Sequence, residues 1–162
     1  MKQIKLTQGQ FALVDDADYD WLNQYKWFAH KSRGNFYAGR MSPTKKGTRY
    51  AIRMHRQILG LEHDDKRDTD HINHNTLDNH QENLRICTHR QNMKNQKKRP
   101  NTTSKYKGVC WKKKEKKWYV RITVDGNRIS LGRFMDEKQA ALTYNEAAKK
   151  YFGKFAYLNK IS

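Results

Sequence analysis

Apolar and polar positions follow three successive regimes along the chain. Residues 1–60 mix them. FALV (Phe11 to Val14) predicts a short apolar strand, and DDADYDWLNQY predicts a helix with acidic residues in its first turn. KWFAH, NFYAGR and RYAIRMH are aromatic-rich, roughly alternating runs that predict three strands, and HRQILGL predicts a short helix stopped by Gly60. Next, TDHIN reads as a strand end, HNTLDNHQEN as a long loop, LRI as a returning strand and Thr88 as the N-cap of a helix. These predict a hairpin with a helix folded across it.

The third regime is the most regular. YKGVCW, WYVRITV and NRISLGRF are three β-rich segments, the last two joined by Asp125-Gly126, a strong hairpin signal. Asp136 and Gln139 have the spacing of an N-cap and its return partner. The helix they open sets Ala140, Tyr144, Ala147, Ala148 and Tyr151 on one apolar stripe. The expected unit is a three-stranded antiparallel sheet packed on one helix. Before it, KNQKKRPNTTSK (94–105) has no apolar residue and reads as a linker. The fold class expected is α+β: a mixed α/β unit over 1–60, a ββα core over 61–97, a basic linker over 98–105 and the sheet-and-helix module over 106–160.

Charge sharpens this division. The chain of 162 residues has 34 Lys plus Arg against 16 Asp plus Glu, a net +18 that suits a polyanionic partner. The excess is uneven. Residues 93–118 carry 11 basic side chains and one acidic, whereas 55–92 carry 5 and 7 and form the only acidic segment. A cation site inside a basic protein would need such a segment. No run approaches the roughly 20 apolar residues that cross a bilayer, and no signal peptide opens the chain, so a soluble, cytoplasmic protein is expected. Cys87 and Cys110 alone build neither a disulfide framework nor a paired zinc site.

The acidic segment holds DHINHNTLDNHQENLRICTHRQN, Asp70 to Asn92. Hydrolysing a phosphodiester requires a water made nucleophilic, charge neutralised on the phosphoryl oxygens, and help for the departing alkoxide. Asp70 and Asn92 offer hard oxygen ligands that favour Mg²⁺ or Mn²⁺ over zinc, and His71 titrates where a general base is useful. His74, His80 and His89 crowd the run and are better suited to phosphate or solvent than to metal. Adjacent strand residues point to opposite faces, so Asp70 and His71 can share a phosphate only where the strand ends or twists.

This run, with MHRQIL ahead of it and MKN behind, is similar to the HNH homing endonucleases in their ββα-metal form, with asparagine at the third motif position. The resemblance implies a metal carboxylate at Asp70, the general base at His71, a loop-fixing asparagine at Asn83 and the helix metal ligand at Asn92. Residues 105–159 resemble the plant APETALA/ethylene-response-factor DNA-binding domain through YKGV, WYVRI, LGRF, AALTYNEAAKKYFG and the closing LN. That family implies a sheet entering the major groove while the helix supports it. Cys110 and Ser130 depart from the plant pattern, so the plant recognition sequence does not carry over.

Arg binds guanine edges bidentately and Lys supplies phosphate charge. The candidate exposed face is Trp111, Arg121, Arg128, Ser130 and Arg133, with Lys112, Lys113, Arg85 and the strap residues Lys97, Lys98 and Arg99 as further DNA contacts. Trp118 is expected to anchor sheet to helix, and Gly108, Gly132 and Gly153 to serve backbone geometry. The expected protein is a metal-dependent DNA endonuclease of homing type, of the kind phages and mobile introns encode, acting as a monomer on double-stranded DNA without a protein partner. One core cleaves one strand, which leaves nicking and double-strand cutting both open. The competing expectation is a non-catalytic DNA-binding regulator. RNA binding is disfavoured by the lack of paired stacking aromatics on the sheet.

Overall fold

The computed structural model describes every residue except Arg33, Lys45, Lys46 and Ser162. The protein is α+β, built from small antiparallel sheets and short helices. It divides into two compact units, Met1–His89 and Arg90–Ser162.

The first unit begins with a hairpin, β1 (Lys2–Lys5) against β2 (Phe11–Val14). The turn between them places Gln8 and Gly9 at φ 58° and 65°, the doubly left-handed geometry a tight hairpin demands. Helix α1 (Asp16–Leu22) follows with Asp16 and Asp18 in its first turn, where carboxylates suit the helix dipole. A three-stranded sheet is built from β3 (Phe28–Ser32), β4 (Asn35–Met41) and β5 (Ala51–Arg53), and α2 (Met54–Ile58) leaves it directly. Ile4, Leu6, Val14, Leu22, Trp27, Ala38 and Met54 form the buried core, against which Leu77 packs from the long loop. Burying side chains of this size stabilises by roughly 1.5–3 kcal/mol each.

The remaining hairpin of this unit is β6 (Asp68–His71) against β7 (Leu84–Cys87), pairing Asp70 with Arg85 and His71 with Leu84. The loop between them is tied to the N-terminal hairpin: Leu13 N–H donates to Leu77 O and Asn79 N–H to Leu13 O, both at 2.8 Å, a single parallel bridge centred on Asp78. Thr76 Oγ1 donates to Phe36 O at 2.5 Å, and Gln81 N–H donates to Asp15 Oδ2 at 2.7 Å. Residues 1–41 therefore buttress the loop. Arg56 donates to the carbonyls of Arg67, Glu62 and Asp65 and so holds the segment that leads into β6.

Helix α3 (His89–Lys94) contains the division between the units. The second unit's sheet has the order β10 (Asn127–Phe134), β9 (Lys117–Val124), β8 (Val109–Lys112), and α4 (Glu137–Phe152) packs on it. Asp136 caps α4 by accepting from Gln139 N–H at 2.6 Å. Ala140, Ala141, Tyr144, Ala147 and Ala148 are buried against Val109, Val120 and Ile122. Tyr151 does not complete that stripe. It is 38% exposed near the helix end, and Phe152 packs on the core in its place. The linker is pinned at its start, where Lys107 Nζ donates to Lys94 O at 3.0 Å and Gln96 O at 2.6 Å.

Candidate active site

His71 ends β6 and is buried, at 6% exposure. Its Nε2 lies 3.2 Å from Asn79 Oδ1, its ring packs edge-on against His55 at 5.0 Å between centroids, and Tyr37 stands 6.4 Å away. Burial pushes the His71 imidazole below its ordinary pKa, while Asn79, Asp70 and Asp78 act the other way. The net direction favours an uncharged ring at neutral pH, the form a general base needs.

Asp70 precedes it, buried at 7% exposure, and accepts from Arg85 Nε at 2.9 Å and Nη2 at 2.5 Å. Cross-strand register makes this pair, because Asp70 and Arg85 sit directly opposite on the same face. Arg85, an expected DNA contact, has its guanidinium on Asp70 and its side chain is 12% exposed. A bound cation would have to share the carboxylate with it. Among the described residues no three His, Cys, Asp or Glu groups could hold a metal ion. Asp70 is nevertheless a hard oxygen donor, and one carboxylate suits a Mg²⁺-like ion that keeps several waters and draws further oxygens from substrate. Asn92, the other expected ligand, lies on α3 in the second unit.

Asn83 is buried and joins the two limbs of the loop. Its Nδ2 donates to Asp78 O at 2.7 Å, and its Oδ1 accepts from Asn73 N–H at 2.9 Å. His80 Nδ1 pairs with Asp78 Oδ1 at 2.5 Å, and His89 Nδ1 with Asp68 Oδ2 at 3.0 Å. Two neighbours of His71 have no clear role from sequence. Asn79, wholly buried, carries no signal beyond being one more amide in an amide-rich loop. His55 lies in the MHRQIL run ahead of the motif, where the sequence reads as readily for a packed histidine.

His55 is 8% exposed, and its Nδ1 has no hydrogen-bond partner among the described residues. Burial, with His71, Arg53 and Arg56 adding to it, pushes its pKa from 6.5 down to about 3. Between those values the unfolded chain binds a proton that the folded chain refuses. Stability is therefore fully present above 6.5 and falls as pH drops towards 3, by up to about 1.4 kcal/mol per pH unit. His55→Gln should flatten that acid limb in urea unfolding followed from neutral pH into acid. An acid slope unchanged by the substitution would rule out His55 as the titrating group.

In the second unit the register sorts the candidate DNA contacts. Arg121 faces Ser130, Thr123 faces Arg128 and Tyr119 faces Arg133 across β9 and β10, so these share one face of the sheet. Arg121, Arg128 and Arg133 are exposed, as are Lys112, Lys113, Lys97 and Arg99, while Lys98 is half-buried. Arg133 also pairs with Glu115 at 2.8 Å. Trp111 does not belong to the arginine face. It pairs with Trp118, two positions from the Val109–Val120 core pair, and the two indoles meet at 4.9 Å on the helix side. Two large aromatic rings gain more from that contact than from water. Trp118 packs on the core. No helix of the described residues is long and apolar enough to cross a membrane.

The chain is 32% identical over 160 residues to an uncharacterized HNH endonuclease of Acanthamoeba polyphaga mimivirus, an alignment covering 95% of this chain and 77% of that protein. No family model matches the chain, and no solved structure matches it.

Proposed function

Since the chain belongs to the HNH endonuclease family, we propose that it is a metal-dependent DNA endonuclease of homing type, with His71 as general base and the sheet of the second unit reading the major groove. The observation that carries this is His71 itself: a buried imidazole, held toward its uncharged form, next in the chain to a buried carboxylate. The water oxygen bonds to phosphorus, its proton passes to the imidazole, the bridging P–O bond breaks, and the departing alkoxide takes a proton from solvent. Asp70 would hold Mg²⁺ or Mn²⁺, whose chemistry is to neutralise phosphoryl charge and stabilise the alkoxide. Asn83 fixes the loop that carries Asp78 and Asn79. A site so poor in protein ligands binds its ion weakly until DNA oxygens complete the shell.

Purified protein incubated with supercoiled plasmid should nick or linearise it in Mg²⁺ or Mn²⁺, and a chelator should stop the reaction. Binding with no cutting under either ion would leave a non-catalytic DNA-binding regulator in its place. The role of the basic second unit is tested separately. Replacing Lys112 and Lys113 with Gln should flatten the dependence of log K on log salt by about 0.9 for each phosphate no longer neutralised. An unchanged slope would show that these lysines are bystander charge.

A further inference from the structure

We propose that Asn79 is a positioning residue that selects the working tautomer of His71: its amide oxygen accepts the Nε2–H, which leaves Nδ1 as the atom that receives the proton of water. The proposal rests on the nuclease function above, which gives His71 its role. The direction of the bond follows from the other end of the amide. Asn79 Nδ2 donates to Leu77 O at 3.2 Å, and the residue has no exposed surface. Turning the amide over would set its oxygen against the Leu77 carbonyl, two acceptors face to face away from water. The oxygen therefore faces His71, 3.2 Å from Nε2. An amide oxygen only accepts, so the nitrogen opposite carries the hydrogen, and in an uncharged imidazole the second nitrogen is then bare.

Asn79 is itself held by distant parts of the chain. Its backbone N–H donates to Leu13 O, and the Leu77 carbonyl that fixes its side chain accepts from Leu13 N–H. Strand β2 thus grips both flanks of the residue that orients the base. This gives the N-terminal residues a function in catalysis without any contact to substrate: they set a tautomer. Asn83 contributes from the opposite limb by holding the Asp78 carbonyl at 2.7 Å.

The full-length protein with ¹⁵N-labelled histidine provides the test. Long-range ¹H–¹⁵N correlations, with His71 assigned by its absence in His71→Gln, read which ring nitrogen is protonated at neutral pH. Nε2–H with a bare Nδ1 is expected in the wild type. Asn79→Leu removes the acceptor; it should give mixed tautomers and slow single-turnover plasmid cutting roughly 10²-fold, with affinity for the same DNA in chelator unchanged. A proton on Nδ1 in the wild type, or an Asn79→Leu protein that keeps the wild-type tautomer, would overturn the proposal. If Asn79→Leu does not fold, the wild-type spectrum decides alone. A wild type with the expected tautomer that cuts no DNA would sink the nuclease function and leave the Asn79 bond standing.

Discussion

Replacing His71 with Ala should slow DNA cutting by about 10²–10⁴-fold, the usual contribution of a positioned general base, while DNA affinity measured in chelator stays close to wild type. The separation is expected because the candidate DNA contacts of the second unit, Arg121 and Arg128 among them, belong to other elements. His71 is buried against His55 and Asn79, so truncation also leaves the Asn79 amide oxygen without its partner, at about 1–3 kcal/mol. His71→Gln controls for this: it can still donate to Asn79 but cannot take a proton at neutral pH. Both variants should show that loss of rate, and the second should unfold close to wild type. Single-turnover cutting in Mg²⁺ with parallel binding and unfolding measurements decides it. Undiminished cutting by either variant would remove His71 from the base role.

What can be anticipated from sequence, and what cannot, follows the range of the interactions involved. Helix α4 and the β9–β10 hairpin rest on chemistry within a few residues: the Asp136 cap, the Asp125-Gly126 turn and a stripe at helical spacing. The ββα outline of residues 68–94 is likewise local. Strand β1 carries little signal because only Ile4 of its four residues is buried and its turn uses Gln8, an unusual residue at positive φ. The contacts that matter most to His71 span long separations. Leu13 to Asn79 and Asp15 to Gln81 join segments whose sequences carry no mark of each other. Trp111 depends on strand pairing rather than on local pattern: alternation from Val109 puts it on the helix side beside Trp118.

Gly108→Ala should destabilise the second unit by about 3–5 kcal/mol, combining overpacking of a filled core with left-handed backbone strain. Gly108 sits at φ +80°, and a Cβ there would lie 2.0 Å from Cδ2 and 2.3 Å from Cε2 of Tyr144, and 2.9 Å from the Arg121 carbonyl oxygen. Neither neighbour can give way cheaply. Tyr144 is 3% exposed in the centre of the α4 face, and the Arg121 carbonyl belongs to the central strand of the sheet. The backbone is fixed as well, because Arg121 N–H donates to Gly108 O at 2.9 Å. Gly126→Ala is the matched control. It shares a positive φ, +86°, but has nothing within 4 Å of the new Cβ, so it should cost only the strain, about 1–3 kcal/mol. Thermal unfolding followed by circular dichroism and by Trp fluorescence should rank Gly108→Ala well below Gly126→Ala. DNA affinity should fall with it, because Arg121 is carried by the backbone that must shift. If the two variants unfolded alike, the close approach of Gly108 to Tyr144 would not be what demands glycine at this position.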